Sequence, residues 1–159
     1  MVRGLDHFKT WFADYQDKYI LIGGTAANLV MEDAGLQFRA TKDLDLVVTV
    51  ESLSPQFAVA FWAFIDAGGY KHQQKSTGKT IFYRFTTPSD TAFPAMIELF
   101  SRVPDGIVPR PGAHLTPLPI AEEVASLSAI LLDAASYEFI ISGKLSLDGI
   151  SIIGADRLI

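Results

Sequence analysis

The segment Asp43-Leu44-Asp45-Leu46 constrains the fold more than any other, because acidic and apolar residues alternate in it. Side chains two residues apart on a β-strand point to the same face of the sheet. Asp43 and Asp45 are therefore expected to project together, while the two leucines enter the core. The β-branched residues that follow extend the predicted strand to Val50.

Composition excludes several classes of protein. The chain has 159 residues, which suits a single domain, and 13 Lys and Arg against 18 Asp and Glu give a net charge of −5. A general nucleic-acid coat protein needs a basic excess and is disfavoured. The chain has no cysteine, which excludes disulfides, thiolate metal sites and thiol nucleophiles. No apolar run approaches a membrane span, so we expect a soluble, cytoplasmic protein without membrane contact.

The remaining pattern predicts an α/β (α+β) fold, a mixed sheet with helices packed on one face. Apolar spacing predicts helices over 4–17, 26–33, 55–67 and 122–126, with a helix or strand over 137–141. Strands are predicted over 19–22, 43–50, 80–86, 95–101 and 128–132, a loop over 104–119, and a hairpin over 144–153 turning at Asp148-Gly149.

Two further pieces accompany the paired aspartates. Gly23-Gly24-Thr25 follows a predicted strand and precedes a predicted helix, so that the backbone can approach a ligand and free N–H groups can face a phosphate. Glu98 stands inside the apolar strand Met-Ile-Glu-Leu-Phe, where an acid is costly to bury without a partner. The plain alternatives are a tight turn at the glycines and solvent-exposed acids on half-covered strands.

Together these carboxylates suit Mg²⁺, which binds hard oxygen ligands and substrate phosphates. Two aspartates on one strand repel each other unless a cation lies between them. A third carboxylate on the neighbouring strand would complete a two-metal site for phosphoryl or nucleotidyl displacement. We therefore expect the strands that carry Asp43, Asp45 and Glu98 to be neighbours, with the Gly23-Gly24 turn at the mouth of the same cleft.

The run Ile-Leu-Ile-Gly-Gly-Thr-Ala-Ala-Asn-Leu, followed by Arg39-x-Thr41-x-Asp43-Leu-Asp45-Leu, resembles the nucleotidyltransferase superfamily with the polymerase β-type core. Within it, the chain is most similar to the AbiEii-like toxins and the minimal nucleotidyltransferases. The resemblance spans residues 5–159 and implies a single nucleotidyltransferase domain, 1–159, that lacks a C-terminal helical part.

The resemblance also implies roles. Gly23, Gly24 and Thr25 would hold the triphosphate, and Asp43, Asp45 and Glu98 would bind Mg²⁺ and carry catalysis. Arg39 and Lys42 would neutralise phosphate charge, unless they are ordinary surface bases. The implied partners are a nucleoside triphosphate, an RNA, protein or small-molecule acceptor, and an antitoxin.

Two alternatives stay open beside this reading. The acceptor is an RNA or protein in a toxin, but a small molecule in an aminoglycoside-type enzyme. The other class is a non-catalytic nucleotide-binding or partner-recognition module of the same fold. The segment Ser76-Thr-Gly-Lys-Thr80 ends like a phosphate-binding loop but precedes a strand, so we interpret 71–80 as a basic hairpin.

Overall fold

A computed structural model describes residues 3–23, 43–73, 80–104, 112, 114–118, 127–147 and 149–154. These residues form a mixed eight-stranded sheet and three α-helices, so the mixed α/β class is confirmed. The strands are β1 (Tyr19–Ile22), β2 (Asp43–Val48), β3 (Arg84–Thr86), β4 (Met96–Ser101), β5 (Leu115–Pro117), β6 (Ser128–Leu131), β7 (Lys144–Leu147) and β8 (Ile150–Ile153). The helices are α1 (Leu5–Trp11), α2 (Pro55–Gly68) and α3 (Ala134–Ser142).

The sheet has the order β5-β6-β4-β2-β1-β8-β7, and β3 pairs with β4 beside that path. β2, β4 and β6 run parallel, while β1 is antiparallel to β2. β3 pairs with the first half of β4 and β6 with its last two residues. The prediction that the strands bearing Asp43, Asp45 and Glu98 are neighbours is therefore confirmed, because β2 and β4 pair over five residues.

Two helices cover one face of this sheet through aromatic side chains. Phe8 of α1 lies edge-on to Tyr19 of β1, with ring centroids 5.1 Å apart. Phe61 of α2 lies edge-on to Phe85 of β3 at 5.3 Å. Strand register places Tyr19 and Phe85 on the same face as Leu44. The apolar residues of β2 therefore face α1 and α2, and its aspartates face the other way.

The predicted helix over 55–67 is confirmed as α2. The Ser54 hydroxyl accepts a hydrogen bond from the backbone N–H of Phe57, and Pro55 occupies the first helical position. The helix ends at Gly68 and is capped by Gly69, which adopts a left-handed backbone that glycine tolerates well. Strand β2 is followed by a short 3-10 turn over Val50–Ser52 and then by α2, which packs back over the sheet.

The predicted continuous helix over 4–17 is wrong beyond Trp11. Phe12 leaves helical geometry, and a 3-10 turn over Ala13–Tyr15 follows. Phe12 is 1% exposed and Tyr15 packs against the core, so the tighter turn still directs both rings inward. Side-chain burial, rather than helical hydrogen bonding, accounts for the aromatic spacing at this point.

Other boundaries shift by a few residues. The predicted strand over 80–86 is reduced to Arg84–Thr86 with an isolated bridge at Thr80, and the predicted loop over 104–119 contains β5. The hairpin of β7 and β8 is confirmed, and 137–141 lies within α3. The predicted helices over 26–33 and 122–126 lie outside the described residues.

A polar network joins α3 to the 3-10 turn Val50–Ser52 that follows β2. The Tyr137 hydroxyl donates to one oxygen of Glu51, and the Arg102 guanidinium donates to the other. Burial would raise the pKa of Glu51, but the hydrogen bonds from Tyr137 and Arg102 outweigh it and lower that pKa.

No helix in the described ranges has the length and hydropathy to cross a membrane.

We expect Phe61→Ala to destabilise the fold by about 3–5 kcal/mol, because Phe61 of α2 is fully buried against Phe12 and against Phe85 of β3. Val59 lies on the same helix but is 55% exposed, so Val59→Ala should change stability by at most about 0.5 kcal/mol. Urea denaturation of both variants measures the difference. Equal losses would contradict the packing of α2 on β3.

Candidate functional site

The candidate site is a row of side chains that crosses four strands. Asp45 of β2 is paired in register with Ile22 of β1 and with Glu98 of β4, and Glu98 is paired with Arg84 of β3. Residues in register on neighbouring strands point to the same face of a sheet. Asp45, Glu98 and Arg84 therefore lie side by side on the face opposite α1 and α2.

Asp43 extends the acidic character of this face towards the start of β2. It lies two residues before Asp45, in register with Met96, and is exposed, whereas Asp45 is partly buried. The intervening Leu44 is fully buried on the other face. The alternation predicted for this strand is confirmed, and it places both aspartates on one face.

Gly23 closes the site on the side of β1. It follows Ile22 directly and has a φ of 72°, in the left-handed region. A Cβ atom at this position would lie 2.8 Å from Oδ2 of Asp45. Glycine is therefore required here twice, for the backbone conformation and for the space that the Asp45 carboxylate occupies.

Glu98 has a cationic partner that the sequence did not reveal. Nε and Nη2 of Arg84 each lie 2.8 Å from the same carboxylate oxygen, Oε2. The Glu98 side chain is only 15% exposed and that of Arg84 is 43% exposed. A buried carboxylate needs such a partner, so Arg84 removes most of the cost of placing an acid in β4.

The environment of Asp45 opposes its negative charge. Burial raises the pKa of Asp45 to about 6, and the negative charges of Glu98 and Asp43 add to the shift. An aspartate in such a place is stabilised by any cation that comes between the carboxylates. The electrostatics of the site thus favour binding of a cation or a proton at Asp45.

The carboxylates of Asp43, Asp45 and Glu98 are chemically suited to Mg²⁺, because carboxylate oxygens are the hard ligands that this ion prefers. Space for the Asp45 carboxylate is kept free by Gly23. In the described part of the chain, no three His, Cys, Asp or Glu side chains form a group that could enclose a metal. The arrangement is therefore two aspartates on β2 beside a third carboxylate that Arg84 holds.

The structure brings together four of the eight predicted site residues, Gly23, Asp43, Asp45 and Glu98. The other four, Gly24, Thr25, Arg39 and Lys42, lie outside the described residues. The sequence analysis missed Arg84. Its signal was a lone basic residue in the apolar segment Ile-Phe-Tyr-Arg-Phe, which mirrors the lone acid of β4.

No family model, curated protein or solved structure matches the chain.

We expect Gly23→Ala to lose more stability than Gly112→Ala. Both glycines have a left-handed φ, which costs a β-carbon-bearing residue about 1–2 kcal/mol. Only at Gly23 does the new methyl group also meet Asp45, and this overpacking adds about 1–3 kcal/mol. Thermal or urea unfolding measures the two losses, and the open space around Gly112 makes it the matched control. Equal losses would argue against close packing of Gly23 on Asp45.

A second prediction concerns pH. The pKa of Asp45 is about 6 in the folded chain and near 3.8 when unfolded, so the folded chain binds more protons between these values. Stability from this group is fully present below the lower pKa and is lost as pH rises through the higher one. Metal-free Asp45→Asn should therefore gain stability relative to wild type as pH rises from about 4 to about 7.

Urea unfolding of both proteins at each pH measures this gain. Other titrating groups are common to the two proteins and largely cancel in the difference. A difference that stays constant with pH would contradict the raised pKa of Asp45.

Proposed function

We propose that this protein is a metal-dependent nucleotidyltransferase, which transfers a nucleoside monophosphate from a nucleoside triphosphate to a hydroxyl group. The observation that carries the proposal is the pairing of Asp45 with Glu98 on adjacent parallel strands. Asp43 shares their face, and Gly23 packs against Asp45. The resemblance of the Gly-Gly-Thr and Asp-Leu-Asp segments to that superfamily supports the same function.

In this proposal Asp43, Asp45 and Glu98 would hold Mg²⁺, and Glu98 would also take the proton of the acceptor hydroxyl. Bound Mg²⁺ supplies positive charge to the attacking and leaving oxygens of the displacement. The acceptor oxygen attacks the α-phosphorus in line, the bond to the bridging oxygen breaks, and pyrophosphate leaves. The backbone after β1, from Gly23 to Thr25, is proposed to bind the triphosphate, with Arg39 and Lys42 neutralising its charge.

The acceptor is not specified by the site. An RNA or protein acceptor fits a toxin paired with an antitoxin, and a small-molecule acceptor fits an aminoglycoside-type enzyme. The same three carboxylates serve all of these reactions, because the chemistry at the α-phosphate is the same. The proposed reaction class therefore includes RNA, protein and small-molecule acceptors.

One observation favours a second candidate, a nucleotide-binding or partner-recognition module without catalysis. Glu98 is ion-paired with Arg84, whose guanidinium donates to Oε2 of the carboxylate. A site with only Asp43 and Asp45 available would bind a metal-nucleotide complex but lack the base for the acceptor hydroxyl. The two candidates therefore agree on binding and differ in transfer.

We expect calorimetry to show binding of at least one of the four nucleoside triphosphates that requires Mg²⁺. The double variant Asp43→Ala/Asp45→Ala should abolish it, because the metal would lose both aspartates. The matched control is Asp6→Ala/Asp66→Ala, which removes two exposed acids from α1 and α2, on the other side of the sheet. The proposal would be contradicted if Asp43→Ala/Asp45→Ala still bound the nucleotide, or if the wild-type chain bound no nucleotide.

Transfer separates the two candidates. With triphosphates labelled on the α-phosphate, an enzyme should move label to an acceptor in a cell extract. The variant Glu98→Gln should lose transfer by about 10²–10⁴-fold, the range of general-base catalysis, while retaining nucleotide binding. Binding without transfer, under conditions that saturate the site, would favour the module.

A further inference from the structure

The contact between Arg84 and Glu98 joins two unequal partners. Both nitrogens of the guanidinium that reach Glu98 converge on the one oxygen Oε2, each at 2.8 Å. Glu98 is held in the middle of a six-residue strand and is 15% exposed, so its carboxylate has little freedom to move away. The Arg84 side chain is 43% exposed and is the partner that can leave.

A guanidinium and a divalent cation compete for the same carboxylate. Both require its oxygen lone pairs, and their positive charges repel each other at short range. The register Asp45–Glu98–Arg84 puts the aspartate on one side of Glu98 and the arginine on the other. Glu98 can therefore pair with Arg84 or help to hold a cation beside Asp45, and each of these two interactions weakens the other.

Arg84 also contacts an aromatic ring, and this contact does not depend on Glu98. The carbon of its guanidinium already lies 5.4 Å from the ring centroid of Tyr83, within the range of a cation–π contact. Loss of the ion pair would thus leave the guanidinium partly stabilised by Tyr83 and by water. Release of Glu98 therefore costs Arg84 its charge-assisted hydrogen bonds but not its contact with Tyr83.

We propose that Arg84 is a built-in competitor for the metal site, which weakens binding of a divalent cation until its guanidinium leaves Glu98. The proposal rests on the proposed function, since it concerns regulation of the same site. It makes Arg84 a positioning residue that acts through Glu98. A purely structural ion pair, which only fastens β3 to β4, would affect stability and leave metal affinity unchanged.

Manganese affinity of the full chain, measured from the electron paramagnetic resonance of free Mn²⁺, tests the competition without any activity assay. Arg84→Gln should bind Mn²⁺ about tenfold more tightly than wild type, a typical strength for coupling between two binding events. Arg84→Lys keeps the positive charge and should stay near wild type.

Arg102→Gln is the matched control for charge. Arg102 forms a similar ion pair with Glu51 beyond the other end of β4, so the net charge changes equally. Its Mn²⁺ affinity should equal that of wild type. A gain of the same size in Arg102→Gln and Arg84→Gln would mean that net charge alone controls affinity, and would overturn the proposal.

Asp45→Asn distinguishes failure of this proposal from failure of the metal site. Equal affinity in wild type and Arg84→Gln, lost in Asp45→Asn, would overturn the role of Arg84 and leave the site standing. Binding that survives Asp45→Asn, or no binding by wild type and Arg84→Gln, would remove both.

A measurement on the wild-type chain covers the case in which Arg84→Gln does not fold. The Arg84 Nε–H signal in a nitrogen–proton correlation spectrum, assigned through Arg84→Lys, reports its hydrogen bond to Glu98. Saturating Mg²⁺ should shift this signal towards that of a solvated arginine. An unchanged signal under saturating Mg²⁺ would overturn the proposal.

Discussion

The parallel pairing of β2 with β4 positions both the core and the candidate site, since one register serves both faces of the sheet. On one face, Leu44 and Ile97 are fully buried beneath the helices. On the other face, the same pairing brings Asp45 beside Glu98. A slip of one residue would exchange the two faces and place carboxylates in the core. Burial of the leucine face therefore stabilises the juxtaposition of the acids.

This juxtaposition has an electrostatic cost that the surrounding residues partly offset. Asp45 is partly buried between two other acids, and its raised pKa records the cost. Arg84 offsets the charge of Glu98 from the far side. Stable folds seldom keep neighbouring partly buried carboxylates without a cation, and perturbed acids of this kind concentrate at functional sites. The raised pKa of Asp45 therefore marks the point on this face where a bound proton or cation would stabilise the carboxylates most.

The two arginine–glutamate pairs near β4 differ in their surroundings. Arg102 and Glu51 are tied to Tyr137 of α3, so that pair links the last helix to the 3-10 turn that follows β2. Arg84 and Glu98 lie instead in register with Asp45. The first pair completes a hydrogen-bonded network, whereas the second stands at the edge of an acidic cluster. The same ion pair therefore has different consequences in the two places.

Much of the fold could be predicted from the sequence because its signals are local. Strand alternation at Asp43–Val48, the start of α2 at Pro55 and the turn at Gly149 each depend on neighbouring residues alone. The early end of α1 could not be predicted, since the aromatic spacing suits both a helix and the tighter turn that burial of Phe12 selects. Strand β5 was missed because pairing with β6, rather than any local preference, orders its Leu-Thr-Pro segment.

For the site, the sequence by itself determined which acids share a face, because the period of a strand is fixed by its backbone geometry. It could not determine that Asp45 lies beside Glu98, since 53 residues separate them along the chain and only sheet register joins them. Nor could it reveal Arg84, whose partnership with Glu98 requires β3 to pair with the opposite edge of β4 from β2. Local geometry decided the chemistry that each strand carries, and tertiary pairing decided which side chains meet.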